Sequence, residues 1–306
     1  MHGESSFASS ATDNRPRTIL ITGGTGFLGS SLLRYLTEAG NNIILLKRSS
    51  SNTFRIADVL HLITSYDIDR VPPEKIFSHH SIDLILHCAT NYGRECRDPR
   101  TLLEANLFLP LTLLELGSRH GVQCFINTDT ILDKRVSAYS LSKGQFKEWL
   151  KLHSSGMTCV NVALEHFYGP GDDRSKFVTF IIRSMLENVA RIPLTLGEQS
   201  RDFIYIDDVV EIFSRIITAS RNLGSGYYSY EVGTGETIRI MDFVESVKRI
   251  VGNCSTITDF GAIPYREHEV MASVVDTSAI STLGWNNYVS LEQGLGRTID
   301  AERSIL

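Results

Sequence analysis

The chain has 306 residues, 42% of them hydrophobic, and a formal net charge of -5. That length buries a large core as one big domain or two coupled lobes, and the mildly acidic balance argues against nucleic acid as the main partner. The longest apolar stretch, LFLPLTLLEL, is too short for a membrane span and carries Pro110.

The opening MHGESSFASSATDNRPR is polar and Ser-rich without an apolar core, so residues 1–16 read as a flexible tail and not a secretory signal. Ile19, Leu20 and Ile21 then read as a buried strand. Gly23, Gly26 and Gly29 follow at three-residue spacing in TGGTGFLG, and Leu32, Leu33 and Leu36 share one face of the next helix. Strand, glycine turn and helix form a site for a pyrophosphate: missing side chains let the backbone approach, and the helix N-terminus offers unpaired N–H groups. The alternative is a tight turn with no ligand.

Asn42–Leu46 reads as a second strand, Phe54–Leu62 as a short helix, Ile63–Asp67 as a third strand and Ile82–Cys88 as a fourth. A long helix is expected from about Leu102 to His120, strand Cys124–Asn127 after it, a second long helix from about Ser140 to His153, and strand Thr158–Ala163. This βαβ alternation with apolar strands predicts a parallel sheet covered by helices on both faces. The two long helices carry apolar residues on two faces, which fits burial within the subunit or packing against a second copy. Beyond Phe167 the pattern loosens: GPGDDRSK is a loop, Phe177–Asn188 a helix, Phe203–Ile206 a strand, and Asp207–Ala219 and Ile240–Val251 helices. The expected division is a cofactor domain of 17–166 and 203–222, and a smaller lobe of 167–202 and 223–306 over the C-terminal edge of the sheet. Cys88, Cys96, Cys124, Cys159 and Cys254 are odd in number and scattered. They suggest reduced thiols in a cytoplasmic protein, and no cluster has metal-ligand spacing, so no metal is expected.

The residues after the second strand bear on the cofactor. An acidic residue there would bond the ribose hydroxyls of NAD; here Lys47 and Arg48 follow the strand. A carboxylate would repel a 2′-phosphate and cations would bind it, so NADP(H) is expected over NAD(H); a solvated surface pair is the other reading. Tyr139 and Lys143 are spaced i, i+4 and share a helix face. A nearby ammonium moves a phenol toward working pH, which suits carbonyl–alcohol chemistry.

TGGTGFLG, HCAT, Asn106, Thr128, the Tyr139/Lys143 pair, FYGPG and RDFIYIDDV occur in the order seen in the extended short-chain dehydrogenases/reductases. The chain resembles these nucleotide-sugar epimerases, dehydratases and reductases over nearly its whole length after Arg17. The resemblance implies a Rossmann-type doubly wound parallel sheet with a smaller C-terminal substrate-binding lobe, and two long helices per subunit that pair in a homodimer. It implies that Tyr139 is the acid/base, Lys143 its electrostatic partner and a nicotinamide-ribose ligand, and Thr128 a donor to the sugar oxygen. Cofactor contacts are implied for Gly23, Gly26, Phe27, Leu28, Gly29, Lys47, Arg48, Asp67, Ile68, Ala89, Thr90 and Asn106. Substrate contacts are implied for Tyr92, Thr128, Asp129, Thr130, His166, Lys176, Phe177, Arg201 and Arg266, the two arginines at the diphosphate. Each arginine also fits a surface salt bridge, and His166 a buried structural histidine.

Departures from the family pattern narrow the reading. Sugar 4,6-dehydratases carry Asp-Glu after the threonine; here Asp129 is followed by Thr130, so one carboxyl group for eliminating water is missing. Ala163 replaces an arginine often found in that strand. HCATNYG, NTDT, LEHFYGPGD, GEQSRDFIYIDDVV and GAIPYREHEVMASV point within the family to a reductase of a CDP-linked 4-keto-3,6-dideoxyhexose or 4-keto-6-deoxyhexose. The expected function is NADPH-dependent reduction at C4 in deoxysugar and surface polysaccharide (O-antigen) biosynthesis. The alternatives are a nucleotide-sugar C4 epimerase with tightly bound NAD and a non-catalytic NADP(H)-sensing protein.

Overall fold

The computed structural model describes residues 15–93, 98–286 and 289–306. Most of the expected tail, residues 1–14, and Cys96 lie outside the described residues.

Short aliphatic strands alternate with helices: β1 (Thr18–Thr22), α1 (Phe27–Glu38), β2 (Asn42–Lys47), β3 (Thr64–Asp67), α2 (Pro73–His79) and β4 (Leu84–His87). They continue as α3 (Pro99–Leu103), α4 (Leu109–Arg119), β5 (Cys124–Thr130), α5 (Ala138–Leu152) and β6 (Thr158–Leu164). The later elements are β7 (His166–Tyr168), α6 (Phe177–Leu186), β8 (Arg191–Leu194), β9 (Ser200–Arg201), β10 (Phe203–Tyr205) and α7 (Ile206–Ala219). Last come β11 (Gly226–Val232), β12 (Ile238–Arg239), α8 (Ile240–Val251), β13 (Ile257–Phe260), α9 (Ser278–Ser281) and α10 (Leu291–Arg303).

Seven strands form one parallel sheet in the order β11-β6-β5-β4-β1-β2-β3. Alternate side chains point to opposite faces. Ile19, Ile21, Leu45, Leu86, Ile126 and Val162 pack with α1 and α7 in a core that runs on into α6, α8 and α10. Leu20, Ile44, Ile85, Phe125 and Cys159 pack with α2, α4 and α5. Both faces are covered, which explains why the strands read as continuous apolar runs.

Several boundaries differ from the sequence reading. Phe54–Leu62 is not an α-helix but two 3-10 turns, Phe54–Ile56 and Leu60–Leu62, and its apolar spacing never completes a helical face. The helix expected from Leu102 begins at Pro99 and passes through a π turn, Glu104–Phe108, before α4. Pro110 cannot donate to a carbonyl one turn back, and a wider turn next to it absorbs the mismatch. Gly226–Val232 falls in the expected lobe yet is the edge strand of the main sheet, parallel to β6. Phe203–Tyr205 falls in the expected cofactor domain yet pairs with β7 in a separate two-stranded sheet. No helix among the described residues is long and apolar enough to cross a membrane.

Candidate active site

The glycine turn connects β1 to α1. Gly23 has φ +69°, and a Cβ there would lie 2.5 Å from the backbone nitrogen of Ala89; at Gly29 it would lie 2.1 Å from the carbonyl oxygen of Gly23. Only glycine fits either position. The N-terminus of α1 has no side-chain cap and no acidic residue in its first turn. Backbone donors and the positive helix end are thus open to an anion, the requirement of a dinucleotide pyrophosphate. Leu28 is buried in the core and Phe27 stacks on Phe167 at 6.0 Å. These two side chains hold the turn against the rest of the protein.

Lys47 ends β2 beside Asp67 of β3 in the parallel register. Asp67 accepts from Ser49 Oγ at 2.6 Å, a hydrogen bond that lowers its pKa, with Lys47 and Arg70 adding to the effect. Arg48 is exposed, and Ile68 packs partly into the α2 side of the core. Lys47, Arg48 and Asp67 therefore meet at one corner, with a carboxylate next to the cations that the sequence alone reads as unopposed.

At the other end, Ser137 caps α5: its Oγ accepts from the backbone of Ser140 at 3.1 Å, and Ser140 returns the bond. The cap starts the helix two residues before the sequence reading. Tyr139 falls in the first turn and Lys143 one turn later, on the same side. Tyr92 lies against Tyr139, ring centroids 5.0 Å apart, and a cavity of about 240 Å³ beside them is lined by Tyr92, Leu102, Ser137 and Tyr139. Lys143 is buried, and its Nζ has no hydrogen-bond partner among the described residues. Burial pulls its pKa down to about 8, against the opposing influence of Asp129 and Cys88.

The strand ends set the remaining groups. Thr22 Oγ1 accepts from Ala89 N at 3.2 Å and lies 2.8 Å from His87 Nδ1. Burial and the neighbouring Lys143 hold His87 well below the usual histidine range, so the ring is neutral. Thr128 Oγ1 donates to the carbonyl of His87 at 3.0 Å, so its donation to a sugar oxygen requires exchange of that bond. Asp129 is buried; it accepts from Asn161 Nδ2 at 2.9 Å and from the Thr130 backbone at 2.8 Å. The carboxylate bonds inside the protein, on the face of β5 that it shares with Phe125 and Asn127. Thr130 Oγ1 accepts from Leu132 N at 3.3 Å.

Asn106 is fully buried in the π turn, accepts from Asn91 N and donates to Asn91 O and Ser142 Oγ. These three bonds hold the 89–92 loop against α5. Thr90 and Tyr92 ride on that loop. Phe177 is partly buried and packs on Phe243 at 5.8 Å. Lys176 pairs with Asp172 at 3.0 Å and sits 4.5 Å above the Phe167 ring. His166 is half-exposed, 3.2 Å from Glu165. Arg201 is buried and bonds Glu269, whose other oxygen lies 3.1 Å from Arg266.

The sequence reading missed His87, Asn91, Ser142, Asn161 and Glu269. Asn161 was visible as a lone amide inside the apolar strand TCVNVAL, and Glu269 as an acid one helical turn from Arg266.

These features define a dinucleotide-binding α/β enzyme with a Tyr/Lys pair at the C-terminal edge of its sheet. The chain belongs to the NAD dependent epimerase/dehydratase family, whose model matches residues 19–233. It is 33% identical to the CDP-abequose synthase of Salmonella muenchen over 92% of this chain and 97% of that one. Its structure is similar to UDP-glucose 4-epimerase with UDP-glucose from Thermotoga maritima, with 25% identity, TM-score 0.80, and 94% and 99% of the two chains covered. UDP-glucose 4-epimerase of Thermus thermophilus, in complex with NAD, matches with TM-score 0.80 at 22% identity over 94% of this chain and 100% of that one.

Proposed function

We propose that the protein is an NADPH-dependent 4-ketoreductase of a nucleotide-linked, CDP-type 4-keto deoxysugar, of the kind that CDP-abequose synthase names. The observation that carries this reading is the state of Asp129: the carboxylate that would serve water elimination is buried and bonded to Asn161 and Thr130, and Thr130 stands where dehydratases have a glutamate. The groups left for the reaction are Thr128, the phenol of Tyr139 and the ammonium of Lys143, a set for carbonyl–alcohol interconversion without elimination.

The glycine turn would hold the dinucleotide pyrophosphate, and Lys47 and Arg48 the 2′-phosphate. When bound there, the nicotinamide would supply a hydride for C4. Tyr139 delivers its phenolic proton to the C4 oxygen as negative charge develops there. Lys143 favours the resulting phenolate, and Thr128 orients the oxygen once its bond to His87 is exchanged. Arg201 and Arg266 hold the substrate diphosphate, and Tyr92 closes the sugar side against Tyr139. Exposed Phe108, Leu141, Trp149 and Leu152 on the α4–α5 side support pairing of two subunits there.

A second reading is a 4-epimerase that retains NAD. Asp67 favours it, because its carboxylate beside Lys47 offsets the cation that would select a 2′-phosphate. Incubation with NADPH and a panel of nucleotide-linked 4-keto sugars separates the two. Stoichiometric NADPH oxidation with a C4 alcohol identified by NMR supports the reductase. Interconversion of C4 epimers by the protein as purified, without added cofactor, supports the epimerase.

A further inference from the structure

A polar chain crosses the buried face beneath α5. Asn127 Nδ2 donates to Asn161 Oδ1 at 2.8 Å, and Asn161 Nδ2 donates to Asp129 Oδ2 at 2.9 Å. Asn127 and Asn161 are register partners on β5 and β6, so the amides interlock across the two strands. The same face carries Phe125, Phe146 and Leu150, and α5 packs on both strands. Each Asp129 oxygen accepts an N–H bond, as an acceptor-only carboxylate does. Neither donor is a cation. A carboxylate so placed needs a counter-charge, and so does the ammonium of Lys143, which is buried without a hydrogen-bond partner among the described residues.

From this geometry we infer that Asp129 is a positioning residue: its carboxylate, anchored by Asn161, is the counter-charge that keeps Lys143 an ammonium beneath Tyr139. The inference rests on the proposed role of Lys143 as the electrostatic partner of Tyr139. The other titratable groups facing Lys143 do not supply the charge. His87 on β4 is held neutral, and the Cys88 thiol, pushed up to about 12 by burial, carries none at pH 7. Tyr139 is a phenol before it gives up its proton. Lys143 is buried one helical turn before Phe146, on the side of α5 that packs against the Phe125–Asp129 face of β5. No hydrogen bond joins it to Asp129, so the carboxylate acts across the buried layer between them, and with Cys88 it opposes the effect of burial on Lys143. The aspartate thus supports the proton donor from behind instead of acting on the substrate.

The test reads Lys143 without substrate. In protein labelled with 15N at lysine Nζ, the Lys143 resonance is assigned by its loss in Lys143→Arg and titrated by NMR. Asp129→Asn and Asp129→Ser remove the charge, the second without placing a new donor beside Asn161. Either should move the Lys143 midpoint to lower pH by about one pH unit, and the alkaline limb of kcat by the same amount. Asn161→Ala leaves the charge and removes its anchor. It should lower Tm and leave the Lys143 midpoint near that of the parent. An unchanged midpoint in both Asp129 variants overturns the inference, and so does an equal fall in Asn161→Ala, which would trace the effect to packing. A shifted midpoint in a protein that reduces no 4-keto sugar would sustain the charge coupling and defeat the ketoreductase reading alone.

Discussion

Arg201 and Arg266 share one carboxylate. Arg201, buried, bonds one oxygen of Glu269, and Arg266 Nε lies 3.1 Å from the other. Under the proposed function, a substrate diphosphate that takes up both guanidinium groups would compete with Glu269 for them, exchanging one anion for another.

The two arginines differ in what each holds, and their variants should differ accordingly. Arg201→Ala leaves Glu269 buried without its main partner, which costs about 3–5 kcal/mol of stability and should appear as a lower Tm. Arg266 is largely exposed, so Arg266→Ala should leave Tm nearly unchanged. Both should raise KM for the nucleotide sugar, by about 1.5–3 kcal/mol of lost charge-assisted bonding per residue, with NADPH affinity little altered. Thermal melts alongside steady-state kinetics check both parts; an unchanged KM removes that arginine from the substrate site.

The proposed function assigns cofactor choice to Lys47, Arg48 and Asp67. The parent protein should show a higher kcat/KM for NADPH than for NADH. Lys47→Asp places a second carboxylate beside Asp67 and should shift the ratio toward NADH by about ten- to a hundredfold. Equal kcat/KM for the two cofactors in the parent would contradict the assignment of these cations to a 2′-phosphate.

The proposed chemical step depends on the phenol of Tyr139. Tyr139→Phe keeps the ring that packs on Tyr92 and deletes the transferable proton. Fold and NADPH binding should persist while kcat falls about 10²–10⁴-fold. Lys143→Ala should lower kcat and also weaken NADPH binding. Reduction at the parent rate by Tyr139→Phe would assign the proton to another group.

Burial of Lys143 also sets a pH dependence. The ammonium is needed beside Tyr139, so kcat should fall as pH rises past about 8, where the folded protein releases that proton. Stability moves the other way. Below about pH 8 both folded and unfolded chains carry the proton, and folding bears the full cost of burying the charge. Between about 8 and the ordinary lysine value of 10.5 the unfolded chain binds more protons, so this group's contribution to stability rises with pH. The stability advantage of Lys143→Met over the parent should therefore shrink from pH 7 to pH 10, as read by urea unfolding across that range. A constant gap would contradict the depressed pKa.

The glycine turn, the parallel α/β order and the Tyr139/Lys143 face were legible in the sequence because each is a local signal. Gly23 and Gly29 are spaced for one turn, Ile19–Ile21 form one run, and four residues bring two side chains onto one helix face. The seventh strand was not legible as part of that sheet. GYYSYEV carries no aliphatic run, and its pairing with β6 forms across a long excursion of chain. Nor could local pattern show Glu269 between Arg201 and Arg266, because those side chains meet only once β9 and the 266–269 segment come together. Asp129 is intermediate: the two-residue alternation of β5 already sets it on the side of Phe125 and Asn127, but only packing showed that side to lie buried beneath α5. Short-range periodicity determines which elements form and which residues share a face. Tertiary packing decides which of those faces meet, and with them whether a charged side chain reaches a ligand or another residue of its own chain.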